Sequence, residues 1–227
     1  MFSIAGIDLL KQELLDHERT LLEILLQDKT TKKNIIWATD DYAELGEPYS
    51  FKKEILPELV TGEQDSLIQP RVEKALEHQT NRTRDKAEVF TPSWICNAQN
   101  NLVDEQWFGR KDVFNIQKEM SWKATADKIA FPDDRQHTWQ KYVDAQRLEI
   151  SCGEAPYLVS RYDTVTGETI PISQRIGLLD RKLRVIGENT DTEEEWFTWT
   201  KRAFQSVYGF EYQGDSLLLV RENLFAN

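Results

Sequence analysis

RLEISCGEAPYLVSRY, from Arg147 to Tyr162, decides how the chain is read. LEIS is a short apolar strand, and Cys152-Gly153 closes it. The residues after Gly153 read as a turn into helical structure. A strand that ends in a glycine turn brings backbone N–H groups to its carboxyl end, where a ligand can sit. Small residues such as Ser151 and Cys152 permit close approach. The stretch lacks the G-x-G-x-x-G phosphate fingerprint, so a cofactor loop and an ordinary strand-to-helix turn both fit it.

Downstream, YDTVTGET (Tyr162 to Thr169) reads as a turn or hairpin. Ser173 to Val185 has helical spacing, with Ile176, Leu179 and Leu183 on one side. Arg175, Arg181, Lys182 and Arg184 lie on the rest, a basic face that either contacts phosphate or is solvated, the solvated face being the favoured expectation. Thr192 precedes three glutamates, and Lys201-Arg202 come near the end of that run. This order of charges suits a helix dipole. SVYGFEY is a strand by composition, with Glu211 near its end. Gly214-Asp215 then leads into a last helix, SLLLVRENLF. The order strand, helix, helix, strand, helix is that of an α/β unit with a parallel sheet. An acid at the end of a second strand either accepts from a ribose diol or faces water.

Upstream, Ile7 to Gln27 reads as an amphipathic helix and NIIWAT (Asn34 to Thr39) as a short strand. Asp40 to Gly62, with Pro48 and Pro57, predicts irregular turns. Pro70 opens a helix to about Arg82. Thr91-Pro92 starts another, carrying Trp94, Ile95 and Leu102. Val113 to Asp134 has no clear period, and Arg135 to Ala145 predicts a helix.

The 227 residues are 40% hydrophobic, enough for a substantial core. A formal net charge of −11 argues against coating nucleic acid by bulk charge. Cys96 and Cys152 form no framework, and no Cys/His spacing suits a metal. His17, His78 and His137 are scattered in polar contexts and predict surface positions. With no apolar run long enough for a bilayer, the expectation is a soluble, cytoplasmic protein.

Three segments occur in a telling order: VFTPSWICNAQNNL, LEISCGEAPYL and VYGFEYQGDSLLLVRENLF. Together they resemble the adenine-N6 DNA methyltransferases of restriction–modification systems. That family carries Phe-Thr-Pro, then Asp-Pro-Ala-Cys-Gly-Ser-Gly, then Tyr-Gly-x-Asp followed by Ala-x-x-Asn-Leu. Val89–Pro92 matches closely, and so do the last strand and helix, with Arg221-Glu222-Asn223-Leu224 in the helix. In the first strand Glu149 stands for Asp, Ser151 for Ala and Ala155 for the second Gly. An alanine there is strained if its φ is positive.

The resemblance implies S-adenosylmethionine as cofactor and double-stranded DNA as partner. Phe90 and Thr91 would lie beside the cofactor's methionine portion. Glu149, Ser151, Cys152 and Gly153 would form the turn beneath it, with Glu149 facing the cationic amino end. Glu211 would hold the ribose hydroxyls. The family's Pro-Pro-aromatic tetrapeptide, which takes the flipped base, is missing: no Pro-Pro pair occurs in this sequence.

The expected fold is therefore α/β: a partial Rossmann-like methyltransferase domain over residues 83–227, with an insertion at about 162–189, after a mainly helical region over residues 1–82. The expected role is the cofactor-binding portion or subunit of a DNA adenine methyltransferase, inactive by itself. A second methyltransferase or restriction subunit is the implied partner, and an open sheet edge predicts self-association. The alternative is a catalytically inactive, methyltransferase-like interaction module. A nicotinamide enzyme is disfavoured by the missing glycine fingerprint.

Overall fold

The computed structural model describes residues 19–64, 67–74, 83–84 and 90–227. In chain order the helices are α1 (Arg19–Leu26), α2 (Ser93–Phe108), α3 (Trp139–Asp144), α4 (Leu178–Asn189), α5 (Glu193–Gln205) and α6 (Gly214–Phe225). The strands are β1 (Asn115–Gln117), β2 (Trp122–Ala124), β3 (Arg147–Ile150) and β4 (Val207–Phe210). The fold is mixed α/β with two small sheets. The chain divides into two compact units, Met1–Val89 with Glu211–Ala226, and Phe90–Phe210 with Asn227.

Apolar burial builds the first unit. Leu26, Ile35, Trp37, Ile55, Val60 and Ile68 pack with Leu218 and Leu219 of α6 in one cluster. Between α1 and α6 the described chain of this unit is irregular, with short 3₁₀ turns, two of which carry the expected prolines 48 and 57 in their first two positions. The helical character expected of residues 1–82 is seen in α1, whereas the described residues between Gln27 and Lys74 form loops, short 3₁₀ turns and isolated bridges. NIIWAT pairs only through isolated bridges, Asn34 with Gln27 and Ile36 with Glu54. After Pro70, where a helix is expected, Arg71–Glu73 forms a 3₁₀ turn and Lys74 is extended. Residues 75–82 of that expectation, and 1–18 of the first helix, lie outside the described residues.

Gly214 is fixed by close approach. A Cβ there would stand 2.0 Å from the Ile36 carbonyl oxygen, and its N–H donates to the Trp37 carbonyl at 2.9 Å. Next to it, buried Asp215 accepts from the Tyr42 hydroxyl at 2.8 Å and pairs with Lys74 at 3.3 Å.

Polar side chains tie the second unit together. β3 and β4 pair in parallel, with Glu149 opposite Gly209 and Ile150 opposite Phe210. α4 and α5 form the crossover between them, as the element order predicts. Thr192 caps α5, its hydroxyl accepting the Glu195 N–H at 3.2 Å. β1 and β2 form an antiparallel hairpin inside the stretch that showed no period. Tyr162 and Thr169 bridge across the expected turn.

The basic residues of α4 overturn the expected solvated face. Arg181 and Lys182 are each 1% exposed. Arg181 pairs with buried Asp104, donates to Asn97 and Asn101 at 2.9 Å each, and donates to the Ile176 carbonyl at 3.0 Å. The Tyr142 hydroxyl donates to the other Asp104 oxygen at 2.9 Å. Lys182 donates to the Ala145 carbonyl and to the Ser206 hydroxyl. Burying a cation is tolerable only when its donors are satisfied, and side chains of α2 together with the Ile176 carbonyl do that for Arg181. α4 also starts later than its periodicity predicts. Gly177 is the N-cap, and Asp180 Oδ2 accepts both Gly177 N–H and Ser160 N–H at 2.9 Å.

No described helix is long and apolar enough to cross a membrane.

Candidate functional site

The loop leaving β3 has an unusual backbone. Ser151, Gly153 and Ala155 have φ of +52°, +53° and +60°. The left-handed region costs a non-glycine residue about 1–2 kcal/mol. The strain expected at Ala155 is therefore present, and Ser151 adds a second strained position. Hydrogen bonds hold the loop in place. The Cys152 N–H donates to the Phe210 carbonyl at the end of β4 (3.0 Å), and the Ala155 N–H donates to the Cys152 carbonyl (2.7 Å). Gly209 lets the strands close over the buried Cys152 sulfur: a Cβ on Gly209 would stand 3.0 Å from that Sγ.

Phe90 comes to this loop from the segment before α2. Its ring lies against Gly153, where a Cβ would be 3.3 Å from the ring edge. The Thr91 carbonyl accepts from the Cys96 thiol at 3.5 Å and from the Thr164 hydroxyl at 3.3 Å. Half-buried Glu149 on β3 lies close enough to act on both Cys96 and Tyr157. Burial, reinforced by Glu149 and Asp163, pushes the Cys96 thiol up to about 12. Burial also raises the Tyr157 phenol, with Cys96 and Glu149 adding to it. Cys96 is thus a neutral, unreactive thiol at physiological pH.

Six of the seven expected site residues therefore lie within the second unit: Phe90, Thr91, Glu149, Ser151, Cys152 and Gly153. Phe90 and Gly153 touch, Cys152 and Gly153 are consecutive, and Glu149 and Thr91 share Tyr157 as a neighbour. Glu211 is one residue past β4 and opens the return segment of the first unit. Its Oε1 accepts the N–H groups of Tyr212 and Gln213 at 3.0 and 3.1 Å.

Sequence reasoning missed Asp163. Its Oδ2 accepts the Ser93 N–H at 2.7 Å, supplying the first turn of α2 with the carboxylate that Pro92 cannot offer. Its Oδ1 accepts from Val165 and Thr166 at 2.9 and 2.8 Å. Burial acts to raise this carboxyl, but the amide donors from Ser93, Thr166 and Val165 hold it below its ordinary value. An aspartate opening Asp-Thr-Val-Thr-Gly signals a local turn, but nothing local signals its reach to residue 93.

Glu149, Gly153, Tyr157, Phe90 and Thr91 are partly exposed and Ser151 is exposed, around buried Cys152, Glu154 and Ala155. The rim offers a carboxylate, an aromatic face and a tight backbone turn. That chemistry can accommodate a cationic or aromatic ligand. Among the described residues no group of three His, Cys, Asp or Glu side chains is placed to hold a metal ion.

Compared with family models, curated proteins and solved structures, the chain finds no match.

Proposed function

We propose that this chain is the cofactor-binding portion of a DNA adenine-N6 methyltransferase of the restriction–modification type, on a partial Rossmann-like sheet. One observation supports this reading above others. The Phe-Thr-Pro segment and the turn after β3, some sixty residues apart in the chain, meet at Phe90 and Gly153. The residues present suit S-adenosylmethionine. Glu149 matches its ammonium group electrostatically, Phe90 offers an apolar face, and Ser151–Gly153 supply the turn. When bound, the cofactor supplies the methyl group. This chain's residues bind and orient it. The Pro-Pro-aromatic element and the DNA contacts then come from another chain or further sequence.

Calorimetry of the chain with S-adenosylmethionine and with its demethylated product tests the reading. The expected result is binding that is lost in Glu149→Ala and in Gly153→Val, where a side chain would meet the Phe90 ring. Labelled cofactor with mixed-sequence duplex DNA is expected to transfer no label. Absence of cofactor binding overturns the reading.

A second reading, an inactive interaction module, is favoured by the β3–β4 sheet. Leu148 faces Tyr208 and Ile150 faces Phe210 across the pair, at exposures of 53%, 45%, 72% and 63%. An apolar sheet face whose strands pair only with each other among the described residues favours pairing with a second copy. Light scattering that gives a monomer at high concentration sinks this reading.

A further inference from the structure

A cavity of about 530 Å³ lies within the second unit, between β2, the turn Ile172–Gln174, α4 and α5. Small-molecule sites fall in this size range and join apolar walls to a few polar groups. None of the site residues described above lines it. Trp122, Ile172 and Trp196 supply apolar wall, and two of them stay open to solvent: Ile172 is 80% exposed and Trp196 43%. Exposed apolar side chains grouped at a concave surface mark ligand-binding grooves.

The charge of the cavity comes down to one residue. Arg175, Arg181 and Arg184 all line it. Arg181 is paired with Asp104 and bonded to Asn97 and Asn101. Arg184 pairs with Glu188 at 2.7 Å and donates to the carbonyls of Phe114, Thr125 and Asp127. Arg175 differs. Its Nη1 donates to the neutral Asn227 side-chain oxygen, and no carboxylate forms an ion pair with it among the described residues. Asp180 feels the Arg175 charge, but its Oδ2 serves the Ser160 N–H, the Ser160 hydroxyl and the Gly177 N–H. Arg175 Nη2 has no partner among the described residues and, unlike Nε, is not enclosed. A guanidinium stays charged at any working pH and holds its donors in a fixed fork.

The same turn adds neutral donors. Gln174 Oε1 accepts the Ala124 N–H at 3.1 Å, which leaves its amide nitrogen to donate elsewhere. Ser173, exposed and also in the lining, brings a hydroxyl. Ligand charge is then bounded from both sides. One uncommitted guanidinium favours a single negative charge. Asp180 and Glu188 line the cavity too, so a second charge would meet repulsion without a cation to answer it. A phosphate, largely dianionic at neutral pH, fits poorly. A carboxylate carries one charge, in a plane that matches arginine.

We propose that this cavity binds a small aromatic carboxylate. The carboxylate meets Arg175 at Nη2, the Gln174 amide and the Ser173 hydroxyl supply neutral donors from the same turn, and the ring lies against Trp122, Ile172 and Trp196. The assignment does not depend on the cofactor reading.

Calorimetry and ligand-detected NMR on the full chain test it with benzoate, phenylacetate and indole-3-acetate, each measured against its own primary amide. The expected result is binding of at least one carboxylate, about tenfold or more tighter than its amide and weakening as salt is raised. Inorganic phosphate is expected not to bind. Arg175→Gln should weaken the carboxylate by about tenfold or more and bring it level with the amide. Ile172→Glu keeps the test decisive if that variant misfolds. At an 80% exposed position it should leave the circular dichroism spectrum unchanged, while its charge weakens the carboxylate about threefold or more and spares the amide. Glu149→Ala is expected to leave carboxylate binding intact. The proposal is overturned if no carboxylate binds, if the amide binds as tightly, if phosphate binds as well, or if folded Arg175→Gln or Ile172→Glu binds as the parent chain does. Loss of binding in Glu149→Ala assigns the probe to the β3 loop and also overturns it.

Discussion

The two units solve the same problem with different physics. The first buries leucine, isoleucine and tryptophan in one cluster, with Lys74–Asp215 as its buried ion pair among the described residues. The second buries Asn97, Asn100, Asp104, Asn115, Asp180, Arg181 and Lys182 among its core residues. Apolar contact is non-directional, so a cluster of that kind tolerates small changes in shape. A buried hydrogen-bond network tolerates them poorly, because each lost partner strands a polar atom in a low dielectric. The unit carrying the strained loop is therefore the more brittle one.

Arg181→Ala presses hardest on that contrast. It leaves Asp104 charged and buried, and should cost about 3–5 kcal/mol by urea denaturation. A cost near 1 kcal/mol, about that of a small apolar truncation, would place the network on the same footing as the apolar cluster.

Lys182 sharpens the contrast through pH. Burial, with Arg147 beside it, pulls the lysine down from 10.5 to about 7, against the pull of Asp144. Between those values the unfolded chain holds a proton that the folded chain has released. Stability therefore rises with pH across this window, and below about 7 the buried charge weighs fully on the fold. Lys182→Met should flatten that slope. Denaturation at several pH values checks it, and an unchanged slope would assign the lysine an ordinary titration.

Ile55→Val tests the apolar side. Ile55 is fully buried, and removing one methylene should cost about 0.5–1.5 kcal/mol. Ala155→Gly is the smallest effect. Relief of about 1–2 kcal/mol of left-handed strain is offset by about 0.8 kcal/mol for the lost buried methyl. Glycine's extra chain entropy takes a further 0.5–1 kcal/mol or so. The net change should stay within about 1 kcal/mol of zero; a loss above about 2 kcal/mol would show that φ of +60° is no burden there.

Features whose cause is local were legible in the sequence. The Thr192 cap, the Tyr162–Thr169 turn and the strands β3 and β4 each carry their signal within a few residues. Features whose cause is distant were not. Arg181 and Lys182 read as solvated because their partners sit on α2 and at the ends of α3 and α5, away from their own helix. α4 begins at Leu178 rather than Ser173 because Ser160 and Asp180 together set its first turn. The β1–β2 hairpin was missed because three-residue strands are too short to show alternation. The meeting of Phe90 with Gly153 has no local pattern in the sequence.

Asp163 carries a consequence for biogenesis. Its carboxylate closes the amino end of α2 from seventy positions further along the chain. During synthesis the first turn of that helix emerges long before its anchor does. Until Asp163 leaves the ribosome, the Ser93 amide must be served by water, and Phe90 and Thr91 have no Gly153 or Thr164 to rest on. Closure of so distant a contact costs entropy before it returns anything, so this corner should be among the last parts of the unit to set during folding.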